Sequence, residues 1–76
     1  MTVHHRIATA AEQLRRKQVI PLKVHLTKAD AAQLQYEMIT QGGDVAHAIM
    51  QHGIGKALPK ILGLQIVWRS PSFEVV

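Results

Sequence analysis

The period of apolar and polar positions changes along the chain, and each change marks an element. From the amino terminus Val3, Ile7, Ala10 or Ala11, and Leu14 recur at helical spacing, which predicts a first helix over residues 3 to 17 with Thr2 as its cap. Glu12 can pair with Arg15 and Arg16 one turn on, and the Arg15-Arg16-Lys17 cluster suits the negative end of the helix dipole. The period then drops to two. Leu22, Val24 and Leu26 fall on one face and Lys23 and His25 on the other, the pattern of a half-buried strand. Pro21 has no backbone donor, so this strand either begins there or lies at a sheet edge.

Thr27, with Asp30 three residues on, forms an acidic variant of the capping box and opens a second helix. Ala31, Leu34 and Met38 make one row on it, and Ala32, Tyr36 and Ile39 widen that row into a second surface. Gly42-Gly43 ends the helix, and Asp44 is expected to cap a short third helix from Val45 to about His52, closed by Gly53. Residues 53 to 63, interrupted by glycines and Pro59, read as a bent connection. Alternation returns with Leu64, Ile66 and Trp68 on one side and Gln65, Val67 and Arg69 on the other. Ser70-Pro71-Ser72 is turn chemistry, after which Phe73 and Val75 can return as a paired strand, giving a terminal hairpin. The order α-β-α-α-β-β predicts an α+β fold: a small two-layer domain, two to three helices packed on one face of a small, mainly antiparallel sheet.

A chain of 76 residues is one domain, 1–76, and folding buries only roughly 60% of the surface of a chain this short, so a homodimer would support its core. With 47% hydrophobic residues but a single Trp, Tyr and Phe, the interior must be largely aliphatic, with Trp68 as its largest member. The absence of cysteine removes disulfides and thiolate metal sites and fits a reducing, cytoplasmic setting. No apolar run approaches the ~18 residues that span a bilayer, so no membrane partner is expected. A net charge of +4 favours an anionic partner. Its distribution sharpens the point, since Arg15, Arg16, Lys17, Lys23 and Lys28 follow one another with no acid between Glu12 and Asp30.

Motifs for chemistry are missing. Histidine ligands on a helix need spacings of three or four, whereas His47 and His52 are five apart and the adjacent His4 and His5 diverge, so no metal or other cofactor is expected. Gly53-Ile54-Gly55-Lys56 falls short of a phosphate-binding loop: Met50 stands where the first glycine belongs, Ala57 follows Lys56, and a helix precedes it. Ser70 and Ser72 flank Pro71 with no catalytic partner near them in sequence, and two of the carboxylates, Asp30 and Asp44, serve as helix caps. These features predict a protein that is not an enzyme.

From Leu22 to roughly Leu58, an alternating strand, a capped helix of about four turns, a glycine break and a further helix together make an order that resembles the ribbon-helix-helix repressors. The resemblance implies a dimer paired through the strand, with Lys23 and His25 on base edges and Arg15, Arg16, Lys17 and Lys28 on phosphates. The chain departs from that pattern where the helix stops at Gly53 and where the stretch from Leu64 has no counterpart. The expected function is a self-associating binding module whose basic surface, formed by Arg15, Arg16, Lys17, Lys23, His25 and Lys28, engages nucleic acid or another acidic partner. The alternative is an accessory protein of the phage or mobile-element type that binds a protein partner through an apolar helix face or the edge of the C-terminal hairpin. For Lys23 and His25 there is also a plain structural role, keeping an exposed strand face polar.

Overall fold

In the computed structural model, which describes residues 1–76, each long helix starts where a threonine hydroxyl takes an orphan backbone donor. Thr2 Oγ1 accepts from His5 N at 3.0 Å to open α1 (Val3–Arg16), and Thr27 Oγ1 accepts from Asp30 N at 3.1 Å to open α2 (Lys28–Gln41). α2 also supplies α1 with an anion. Glu37 accepts from Val3 N at 2.9 Å and from His4 N at 3.4 Å, which sets a carboxylate at the positive end of the α1 dipole.

α1 stops without a glycine. Gln18 takes φ 63°, its N–H reaches Arg15 O at 2.9 Å, and Val19 N reaches Leu14 O at 3.0 Å, the paired bonds of a Schellman motif. Two glycines make the later breaks. Gly42 (φ 73°, ψ −165°) separates α2 from α3 (Gly43–His52), and Gly53 (φ 84°, ψ 157°) separates α3 from α4 (Ile54–Ala57). Both lie in a backbone region that is essentially closed to other residues, so the chain turns twice without a loop. Asp44 does not cap α3. The helix already begins at Gly43 with no side-chain cap bond, which leaves Asp44 inside the first turn, acting on the dipole alone.

The sheet is mixed, in the order β2-β3-β1-β4, from β1 (Lys23–His25), β2 (Lys60–Ile61), β3 (Leu64–Val67) and β4 (Glu74–Val75). β1 is central, parallel to β3 with Val24 opposite Ile66, and antiparallel to β4 with Val24 opposite Val75. Two expectations are corrected here. Residues 53 to 63 hold α4 and one arm of a hairpin, β2-β3, whose Leu62-Gly63 turn has φ 52° and 79°, the paired positive angles of a type I′ turn. The terminal hairpin does not form, because β1 lies between β3 and β4. After β3, Arg69 turns left-handed (φ 60°) and Ser70 N binds Leu26 O at 2.9 Å, so the chain crosses the end of β1 and returns along its other edge.

Val24, Leu26, Ile61, Leu64, Ile66 and Val75 from the sheet side pack with Val3, Ile7 and Ala11 of α1 and Leu34 of α2 into one core. Residues out of phase with them, Lys23, Lys60, Gln65 and Glu74, are exposed, so helices cover one face of the sheet and leave the other open. This is the two-layer α+β arrangement. Leu22, two residues before Val24, is 66% exposed: Leu22 N and Lys23 N both bond Val76 O, which interrupts the alternation there, and Pro21 is the buried residue instead.

Arg6 ties three segments together. Its Nη1 lies 2.8 Å from Asp30 Oδ1, and its guanidinium sits 4.4 Å from the centre of the Phe73 ring, just ahead of β4. Burial pushes the Asp30 carboxyl up, but the hydrogen bonds from Arg6 and Thr27 and the Arg6 charge outweigh it and hold the group below its ordinary value.

Two predictions follow from these local geometries. Gln18→Gly and Leu62→Asn place residues suited to positive φ at strained positions and should each raise stability by about 0.5–1 kcal/mol, whereas Gly53→Ala should lower it by at least about 1 kcal/mol; thermal denaturation of the three variants checks this. Because the Asp30 carboxyl is depressed in the fold, its contribution is fully present above the unfolded value of 3.8 and drains away as pH falls through the lower folded value. Asp30→Asn should cost about 1 kcal/mol at pH 7 and flatten the acid limb of the stability curve; an unchanged limb in urea titrations between pH 2 and pH 5 contradicts the assignment.

Candidate functional site

The open face of the sheet is built by the residues whose phase points away from the helices. Lys60, Gln65 and Lys23 stand in register across β2, β3 and β1, and Val67, His25 and Glu74 stand in register across β3, β1 and β4. Lys23 is exposed as the strand alternation requires, and His25 is half-buried.

His25 Nδ1 lies 3.2 Å from Ser70 Oγ, and Ser70 Oγ donates to Val67 O at 3.2 Å. A hydroxyl has one proton: with it on the carbonyl the histidine donates through Nδ1–H, and in the tautomer with a bare Nδ1 the serine donates to the ring instead. The pair fastens the end of β1 to the turn after β3. Although no partner for Ser70 was visible near it in sequence, the fold supplies one from 45 residues away.

The remaining predicted residues occupy two other places. Arg15, Arg16 and Lys17 are exposed at the end of α1, where Arg16 makes a solvent-facing pair with Glu12 at 3.5 Å that contributes little. Lys28 is exposed at the start of α2. The six residues thus divide among a helix end, an open sheet face and the first turn of another helix. Both edges of β1 are occupied, by β3 and β4, so the intermolecular ribbon implied by the repressor resemblance has no free edge on which to form.

Lys28 instead meets residues that the residue order alone did not bring together. With Ala31, Ile54, Gly55, Trp68 and Arg69 it lines a half-open cleft of about 350 Å³ between the first turn of α2, α4 and the segment after β3. Trp68 packs against the core but is only half-buried, contrary to its expected place as the largest interior residue. Its Nε1 lies beside Gly55, where a Cβ would sit 4.0 Å away. The indole N–H has no acceptor within the chain and is not enclosed. Neither Lys28 nor Arg69 has a carboxylate partner. The polar side-chain groups of the cleft are therefore all donors.

Elsewhere the surface is less specific. A hollow between the start of α1 and α2 includes His4, Tyr36 and Glu37, but Glu37 is already engaged by the backbone of α1. The histidines do not converge with carboxylates into any group of three that can hold a metal ion. No helix is long and apolar enough to cross a membrane. No family model, curated protein or solved structure matches the chain. Ile54 and Gly55 stood in the sequence only as a failed phosphate-binding loop and Arg69 only as a strand position, because their meeting with Lys28 is made by the fold.

Proposed function

We propose that the protein is a non-enzymatic binding module whose uncompensated cations engage nucleic acid. The observation that supports this reading is the allocation of charge. Among the lysines and arginines only Arg6 and Arg16 have a carboxylate within 4.0 Å, which leaves Lys23 and Lys60 free on the open sheet face and Lys28 and Arg69 free at the cleft. Cations without internal partners are the groups that exchange condensed counterions of a phosphate backbone for direct contact. A strand locked inside a sheet cannot enter a groove as a paired ribbon, so contact runs over the open face and the cleft.

Binding of labelled single-stranded and duplex oligonucleotides, followed by fluorescence anisotropy at 50 and 200 mM salt, tests the reading. Four phosphate contacts, one for each of these cations, imply a loss of affinity of roughly fifty- to 150-fold over that range. Lys23→Gln combined with Lys60→Gln should weaken binding and shallow the salt slope. Absence of binding to either form at 50 mM salt overturns the proposal.

A second reading, contact with protein, rests on a different patch. Val19, Ile20 and Leu22, which lead into β1, are 47%, 79% and 66% exposed, an apolar strip suited to self-association or to a protein partner. Sedimentation over a hundredfold concentration range is expected to show a dimer that Ile20→Lys dissolves, and a monomer throughout removes the homodimer.

A further inference from the structure

Resting on the nucleic-acid reading above, we infer that the cleft between α2, α4 and Trp68 is the seat of one nucleotide of a single strand, with the base against the indole and a phosphate held by Lys28 and Arg69. At about 350 Å³ the cleft lies at the small end of ligand-binding clefts, which run from roughly 300 to 1,000 Å³. Its walls are of two kinds. Ala31, Ile54 and the bare backbone of Gly55 offer apolar contact to a flat body, while the ammonium, the guanidinium and the unpartnered indole N–H offer donors with no carboxylate among the lining residues. Such a set selects a ligand that combines an aromatic ring, acceptor atoms and negative charge. Nucleotides carry all three.

A base in a duplex is paired and stacked on both faces and cannot enter without being extruded, whereas a single strand can splay a base outward at little cost. Stacking on an aromatic side chain together with cations that track the backbone is the usual basis of such binding. The two cations lie some forty residues apart in the chain. Lys28 begins α2, and Arg69 is held in the left-handed region by a turn whose Ser70 bonds both Leu26 O and Val67 O.

Trp68 is the only tryptophan, so emission excited selectively from tryptophan, without Tyr36, reports on this cleft. Titration with oligothymidylate should quench it, and an abasic strand of the same length and charge should not. Gly55→Leu fills the cleft with a residue that suits a helix better than glycine, and should weaken oligothymidylate binding at least about fivefold and abolish quenching. Lys28→Gln should weaken binding without changing the fluorescence of the free protein, and circular dichroism checks that both variants fold. Salt-sensitive anisotropy with unchanged tryptophan emission, and with Gly55→Leu binding as tightly as the parent, overturns the cleft while sparing the basic-surface reading. Quenching by adenosine monophosphate but by no oligonucleotide overturns the single strand as occupant.

Discussion

β1 is only three residues long, and it is hydrogen-bonded along both edges. Val24 at its middle is fully buried, flanked by Ile66 on one side and Val75 on the other. Alternation then leaves no freedom for its neighbours: with Val24 turned to the helices, Lys23 and His25 must turn away from them. The same phase requires Val3, Ile7 and Ala11 of α1 and Leu34 of α2 to close over a single face. The open face is therefore a direct outcome of where one valine is buried.

The helical layer is held to that core by charge as well as by apolar contact. Arg6 reaches Asp30 on α2 and lies over Phe73 ahead of β4, so one side chain couples the first helix to the second and to the last strand. α2, α3 and α4 follow one another with single glycines between them, and the last of these breaks brings α4 across the edge of Trp68. A longer connection at Gly53 would leave that edge without a wall. The cleft thus depends on a tight backbone turn rather than on any residue with chemistry of its own.

Much of the local structure was readable from residue order. Thr2 and Thr27 cap as their positions imply, the stripe of Val3, Ile7 and Ala11 is buried, and Leu64 and Ile66 alternate inward. What escaped falls into two physical kinds. Leu62 adopts positive φ, a conformation ordinarily announced by glycine or asparagine, so the β2-β3 turn was hidden behind an unremarkable side chain, whereas the first helix ends at Arg16, within one residue of where its apolar stripe placed it. Pairing was the other. Nothing in Phe73 to Val75 states that their partner is β1 rather than the nearer β3, because that choice is made by the turn at Arg69 and Ser70 and by burial around Val24. The candidate site follows the same division: Lys23 and His25 were legible as an outward strand face, while the meeting of Lys28 with Trp68 and Arg69 depends on contacts across some forty residues.

The position of β1 also bears on how the chain is made. Both strands that flank it come from residues 64 to 75, so during translation β1 emerges with neither edge satisfied. At about 5–20 residues per second, the interval between Val24 and its partner Ile66 lasts roughly 2–8 s. Throughout that interval the nascent chain carries an unpaired, strand-prone segment beside the apolar Ile20 and Leu22, and the charge on Lys23 and the missing donor of Pro21 are its local safeguards against pairing with another ribosome's product.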